Sequence, residues 1–215
     1  MANLVDALIK EGWLKTPRII KAFRKIKRID FLPEYLKNLS ELDQALPIGF
    51  EQTISQPLVV AFMLEKLEPK EGDKILDIGS GSGWTCALLS EIVGKKGRVI
   101  AIELVPELME FGKKNVEKYN FVNKGIASFV CADGSKGYPK MSSSPELVEG
   151  FDKILCSASV KGKIPYAWEE QLKAGGRIVT LKGSSIWLLI KNQPDIDKFE
   201  EIEFPGFSFV PLIVK

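Results

Sequence analysis

Asp77-Ile-Gly-Ser-Gly-Ser-Gly83 constrains this chain more than any other stretch. Lys74-Ile75-Leu76 before it reads as a buried strand, and Trp84–Val93 after it reads as a helix. A glycine-rich turn from strand to helix lets a ligand lie against bare backbone, because residues without Cβ leave room for it. Glu103 closes the next apolar run, where an acid can reach a ribose hydroxyl pair. Together these elements describe a nucleotide-like cofactor site. Their spacing is not the G-x-G-x-x-G of dinucleotide enzymes.

The pattern from Lys74 onward alternates strand and helix, which argues for a parallel sheet covered on both faces. Expected strands are Arg98–Ile102, Ala127–Cys131, Asp152–Cys156 and Arg177–Leu181; expected helices are Pro106–Tyr119 and Pro165–Leu172. The apolar runs Ser185–Ile190 and Phe204–Val214 have no helix between them and predict an antiparallel hairpin at the sheet edge. Before the core, Asn3 can cap a helix over Leu4–Glu11. Thr16-Pro17 opens another over Arg18–Lys27, and Pro33 a short one through Leu39. Ala45–Thr53 reads as a loop, and Ser55-Gln-Pro57 opens an apolar helix to about Leu67. The expected organisation is one domain: residues 1–55 as helical cap and active-site loop, 56–183 as cofactor-binding core, and 184–215 as edge strands. The polar stretch 141–150 reads as a surface insertion.

Composition narrows the chemistry. A formal charge of +2 is too small to imply a nucleic-acid or membrane partner. The first ten residues lack the apolar core of a signal peptide. Cys86, Cys131 and Cys156 lie in apolar runs and read as buried, reduced thiols of a cytoplasmic protein. With no histidine and no C-x-x-C, no zinc site is expected, and no imidazole can act as a general base. Asp133-Gly134 follows the third strand of the alternating region and falls at the carboxyl edge, where open α/β sheets bind ligands. A turn role for this Asp-Gly pair is the alternative.

D-I-G-S-G-S-G, the ribose-type acid and the D-G pair resemble the fold of S-adenosylmethionine-dependent methyltransferases. More narrowly, the chain resembles the protein-L-isoaspartate O-methyltransferases. The residues that carry this are Arg28-Ile-Asp-Phe-Leu-Pro-Glu34, Ala45-Leu-Pro-Ile-Gly49, Gln52-Thr-Ile-Ser-Gln-Pro57, Asp133-Gly134 with Gly137, Ile164-Pro165, Gln171–Arg177 and Phe209-Val-Pro-Leu212. The resemblance implies a Rossmann-like α/β fold, mostly parallel with antiparallel edge strands. It implies methyl transfer from S-adenosyl-L-methionine to the free carboxylate of isoaspartyl residues, leaving S-adenosyl-L-homocysteine. The ester then cyclises without the enzyme to a succinimide, which reopens partly to normal aspartate.

By motif position, Asp77, Gly79, Ser80, Gly81, Gly83, Glu103, Leu104, Asp133 and Gly134 are implied to hold the cofactor, with Glu103 on the ribose and Asp133-Gly134 on the adenine. Ser55 and Thr53 are implied as catalytic, closing over the methyl group. Ile48, Gln52, Ile54, Val210 and Leu212 are implied to hold an isoaspartyl protein or peptide. No base is needed, because a free carboxylate with a pKa of about 3.3–3.9 is already ionised at neutral pH. Ser55 has a structural alternative as the N-cap of the following helix.

Several positions depart from the family pattern. Glu51 stands where glycine is usual, and Leu58 where histidine or tyrosine is common. Ser157–Lys163 replaces an alanine-rich loop, and Leu181-Lys-Gly183 a proline-valine-glycine corner. Two other functions stay open. The same fold could serve another acceptor, RNA or a small molecule, with the basic set Lys21, Arg24, Lys25, Lys27 and Arg28 in play. That set reads more simply as a solvated face with Ile20, Phe23 and Ile26 inward. The chain could also be a catalytically silent binder of the cofactor. The preferred reading is a monomeric repair enzyme with no stable nucleic-acid partner and no membrane.

Overall fold

The computed structural model describes residues 3–139, 150–192, 198–207 and 209–214. Helices α1 (Leu4–Lys10) and α2 (Pro17–Lys25) come first, then 3-10 turns at Arg28–Phe31 and Glu34–Leu39. A hairpin of β1 (Leu46–Gly49) and β2 (Gln52–Ile54) leads into α3 (Pro57–Leu67). The core follows as β3 (Lys74–Ile78), α4 (Trp84–Val93), β4 (Arg98–Glu103), α5 (Pro106–Glu117), β5 (Ala127–Cys131), β6 (Phe151–Val160), α6 (Tyr166–Gln171), β7 (Leu172–Lys182), β8 (Ser185–Lys191) and β9 (Phe199–Pro205).

The main sheet has seven strands in the order β5-β4-β3-β6-β7-β8-β9. Pairing is parallel from β5 to β7 and antiparallel for β7-β8 and β8-β9. The chain leaves β3 in one direction and returns to its other side at β6. That reversal opens a crevice beyond the carboxyl ends of β3 and β6. Ile75, Leu76 and Ile78 are fully buried because helices cover both faces of β3. The N-terminal helices belong to the same packing: Phe23 of α2 meets Trp84 of α4 edge to face at 5.6 Å.

Ala45–Thr53 is largely the β1–β2 hairpin rather than a loop, with Leu46 opposite Ile54. Its turn residues Phe50 and Glu51 both have positive φ, +54° and +58°, without the glycine or asparagine that usually marks such a turn. The expected edge strand over Phe204–Val214 is instead Phe199–Pro205. Glu200, Glu201 and Glu203 make that strand a half-solvated edge, and Gly206 at φ +97° ends it. Residues beyond it cross to β6, where Val210 accepts from the Ser159 amide at 2.9 Å and the Leu212 amide donates back to Ser159 at 2.8 Å. β6 and β7 run longer than expected at both ends.

Cys86 and Cys156 are buried as expected, whereas Cys131, the last residue of the edge strand β5, is exposed. Arg28 is buried rather than part of a solvated face. Apart from Gly150, the 141–150 insertion lies outside the described residues.

Candidate active site

Among the described residues, three neighbouring clefts lie over the carboxyl edge of the sheet. The first spans about 530 Å³ including space open to solvent and is walled by Gln52, Thr53, Gly79, Gly81, Glu103, Leu104, Gly134, Ser157, Val210 and Leu212, among others. A smaller recess runs along the glycine turn between Thr53–Ser55, Ser80–Ser82 and Ser157. The third, open and about 850 Å³, is lined by Ala45, Thr53, Ser55, Gln56, Val59 and Phe209–Pro211. Thr53 walls all three.

The glycine turn divides its labour. Gly79 takes φ +71° with only Ala158 Cβ, at 3.8 Å, near where its own Cβ would stand. Its amide and that of Ser80 donate to the Ile102 carbonyl at 2.8 and 3.1 Å, which ties the turn to β4. Gly83 serves packing: a Cβ there would stand 2.6 Å from the Gly112 carbonyl, where α4 crosses α5. It does not line the clefts.

Glu103 is buried and accepts three backbone amides. Gly81 donates to Oε2 at 2.9 Å, while Leu104 and Val105 donate to Oε1 at 2.8 and 3.1 Å. This single side chain therefore fixes the glycine turn against the end of β4. Asp77 is fully buried behind the turn, and burial pushes its carboxyl up to about 7, reinforced by Glu103 and opposed by the Thr85 hydroxyl.

Asp133 caps its own turn, with Oδ1 accepting from the Ser135 amide at 3.0 Å and hydroxyl at 2.6 Å. Its neighbours Ala132 and Gly134 are the ones that line the first cleft. Gly134 lies flat on Ile78, 2.5 Å from where a Cβ would stand, and its carbonyl accepts from Trp168 Nε1 at 2.7 Å. Ile48 reaches Gly81 from the hairpin, its Cδ1 3.3 Å from a would-be Cβ. Ile54 and Ser55 face the recess.

Sequence reasoning missed the two residues that hold the Ser55 turn. Arg28 sits 5.5 Å from the Trp84 ring centre and donates to the carbonyls of Ser40, Leu42, Gln44 and Ser55. Burial lowers its pKa to about 10 despite Asp43 and Glu41 nearby. Asp43 accepts from the Leu58 amide at 2.8 Å and so takes the capping role that Ser55 could have filled. Its Asp43-Gln-Ala-Leu-Pro47 setting carried no local signal.

The family model for protein-L-isoaspartate(D-aspartate) O-methyltransferase matches residues 1–213. The chain belongs to that family. It is 37% identical over 215 residues to the protein-L-isoaspartate O-methyltransferase of Methanopyrus kandleri, covering 98% of this chain and 90% of the relative. The Pyrococcus horikoshii protein of the same name is 38% identical over 214 residues, covering 97% and 90%. Among solved structures, a Plasmodium falciparum chain described as a protein-L-isoaspartate O-methyltransferase in complex with S-adenosyl-L-homocysteine superposes with a TM-score of 0.84. It is 18% identical and covers 98% of this chain and 96% of its own, a likeness of fold. A second protein-L-isoaspartate O-methyltransferase superposes at TM-score 0.81 with 29% identity, covering 97% of this chain and 64% of its own.

Among the family departures, Glu51 is exposed at the hairpin tip and lines none of the three clefts. Lys161 and Lys163 are exposed. Lys182 lies 3.8 Å from the centre of the Trp187 ring.

Proposed function

We propose that this protein transfers a methyl group from S-adenosyl-L-methionine to the free carboxylate of isoaspartyl residues in damaged proteins or peptides. The single observation that carries the reading is Thr53, which walls the glycine-turn cleft and the open cleft at once, within a chain of this family. A donor on one side and a polypeptide on the other would meet at that residue.

The residues fit the cofactor. Gly79 and Gly81 present bare backbone, while buried Ser80 Oγ and Asp77 Oδ1 have no hydrogen-bond partner among the described residues. Gly79, Gly81, Glu103, Leu104 and Gly134 would hold it, with Asp77 and Ser80 behind them. When bound, it supplies a methyl group on a sulfonium centre. Glu103 would accept hydroxyls from the first cleft while its carboxylate stays pinned by backbone amides. Ser55 and Thr53 orient the substrate carboxylate through their hydroxyls. Val210 and Leu212, tied to Ser159 of β6, close the far wall and exclude water. A carboxylate meeting a cation loses charge in the transition state, so a dry, aligned enclosure speeds the step without a base.

The basic stretch favours a peptide acceptor over RNA: Arg28 is buried, Lys25 pairs with Glu91 at 2.7 Å and Arg24 with Asp6 at 3.1 Å. The free thiols of buried Cys86 and Cys156 suit a reducing, cytoplasmic compartment, and we extend the reading to a monomer, to be checked by light scattering.

Tritium transfer from labelled S-adenosyl-L-methionine to a peptide pair differing only in aspartyl or isoaspartyl linkage tests the function. Base-labile label on the isoaspartyl peptide alone is expected. Equal labelling of both, or of neither while the cofactor binds, overturns it.

A further inference from the structure

Gln56 lines the open cleft beside Ser55 and occupies the N-cap position of α3, where its side chain makes no capping bond. Its Nε2 donates to Oδ2 of Asp43 at 2.9 Å. The other Asp43 oxygen accepts the Leu58 amide, so both ends of that carboxylate are engaged. Arg28 in turn donates to the carbonyls of Gln44, at 2.6 Å, and Ser55, at 3.3 Å. The Ser55-Gln56 turn is therefore held between a cation and an anion.

That arrangement fixes the sense of the Gln56 amide. An ionised carboxylate only accepts, so the amide nitrogen must face Asp43 and the amide oxygen is left on the other branch. Among the described residues, the polar side chains that line this cleft are Thr53, Ser55 and Gln56, against Ala45, Val59 and the 209–211 segment. The two hydroxyls donate to the substrate carboxylate in the function proposed above. Among the side chains of the described lining residues, Gln56 is then the one with an acceptor left for the peptide's own N–H groups.

We propose that Gln56 is a specificity-determining residue whose Oε1 accepts a backbone N–H flanking the isoaspartyl residue, with Asp43 as the positioning residue that keeps the oxygen turned to the cleft. The inference rests on the proposed methyl transfer to isoaspartyl peptides. A site built to bond a substrate N–H discriminates against an analogue that lacks it.

The test uses the full chain with S-adenosyl-L-methionine and three matched isoaspartyl peptides: the parent, and two N-methylated at one or other flanking amide. For wild type, one N-methylation is expected to raise KM about tenfold, the worth of one hydrogen bond. Gln56→Ala should raise KM for the parent by a similar factor, leave S-adenosyl-L-homocysteine affinity unchanged, and abolish the penalty for that N-methyl peptide. In Asp43→Asn the new amide group faces Gln56, the Gln56 amide turns over, and a donor replaces the acceptor in the cleft. This variant should also lose the discrimination while its melting temperature shows it folded. Penalties that persist undiminished in Gln56→Ala, or no penalty in wild type at either position, overturn the assignment. If wild type leaves the parent peptide unmethylated, the function itself fails, and the assignment with it.

Discussion

Thr85 donates its hydroxyl to Oδ2 of Asp77 at 2.8 Å, while Oδ1 of the same carboxylate is buried without a partner among the described residues. One hydrogen bond does not offset the desolvation of a fully buried acid. The proton is therefore held to about pH 7.

Stability follows from that relationship. Between the ordinary carboxylate pKa and about 7, the folded chain keeps a proton that the unfolded chain has released. Folding stability should then fall as pH rises through this window, the contribution being fully present below the unfolded pKa. Asp77→Asn keeps an oxygen to accept from Thr85 and removes the titration. Melting temperatures from pH 4.5 to 8, at fixed ionic strength, should decline more steeply for wild type than for the variant. Parallel curves would sink the idea.

Glu51→Gly should stabilise the protein. Glu51 sits at φ +58°, a conformation that costs an L-residue about 1–2 kcal/mol and glycine little. Part of that gain is offset by glycine's freedom in the unfolded chain, roughly 0.5–1 kcal/mol. A rise of about 1–3 °C in melting temperature is expected, with kcat unchanged because Glu51 lies outside the clefts. A fall in melting temperature would show that the exposed carboxylate makes a compensating contact.

The same turn shows what the sequence could and could not reveal. α4 and β5 match their expected spans because strong apolar runs bounded by glycine or turn residues mark them. The β1–β2 hairpin escaped because Phe50-Glu51 lacks the composition that its backbone demands. Thr16 looked like a side-chain cap, yet its hydroxyl donates to Glu65 at 2.6 Å. Arg28 looked solvated among other basic residues, and only the tertiary fold brings four carbonyls around it. Local signals locate elements and the glycine turn; partners separated by many residues have no local signature.

Arg28→Met should therefore be costly. Methionine matches much of the stem but leaves the carbonyls of Leu42, Gln44 and Ser55 without their donor. The Ser40 carbonyl, which also accepts from Arg28, is the buried one, and a stranded buried acceptor costs about 1–3 kcal/mol. With the three part-buried carbonyls losing their donor too, a loss of roughly 2–3 kcal/mol is expected in urea unfolding. A loss below about 1 kcal/mol would mean that water replaces the guanidinium.

Glu103→Gln tests the pinned acid. A carboxamide cannot accept at both ends, so its amino group must oppose either the Gly81 amide or the Leu104–Val105 pair. The glycine turn loosens and a hydroxyl acceptor in the first cleft is lost. Calorimetry with S-adenosyl-L-homocysteine should show affinity reduced about tenfold or more, for the loss of a hydrogen bond to a charged group. Unchanged affinity would remove Glu103 from the cofactor site.

Ser55→Ala separates positioning from covalent or base chemistry. The Ser55 carbonyl is held by Arg28, so the turn should persist when only the hydroxyl is removed. A hydrogen bond to a charged group is worth about 1.5–3 kcal/mol, which predicts a fall in kcat/KM of roughly 10- to 150-fold. Affinity for S-adenosyl-L-homocysteine should stay at the wild-type value, because Gly79, Gly81 and Glu103 are untouched. If Ser55 were instead the acceptor nucleophile or an obligatory proton carrier, the loss would approach the millionfold scale of a removed catalytic nucleophile. A fall within the smaller range places the reactivity in the substrate carboxylate itself, with Ser55 holding it in line.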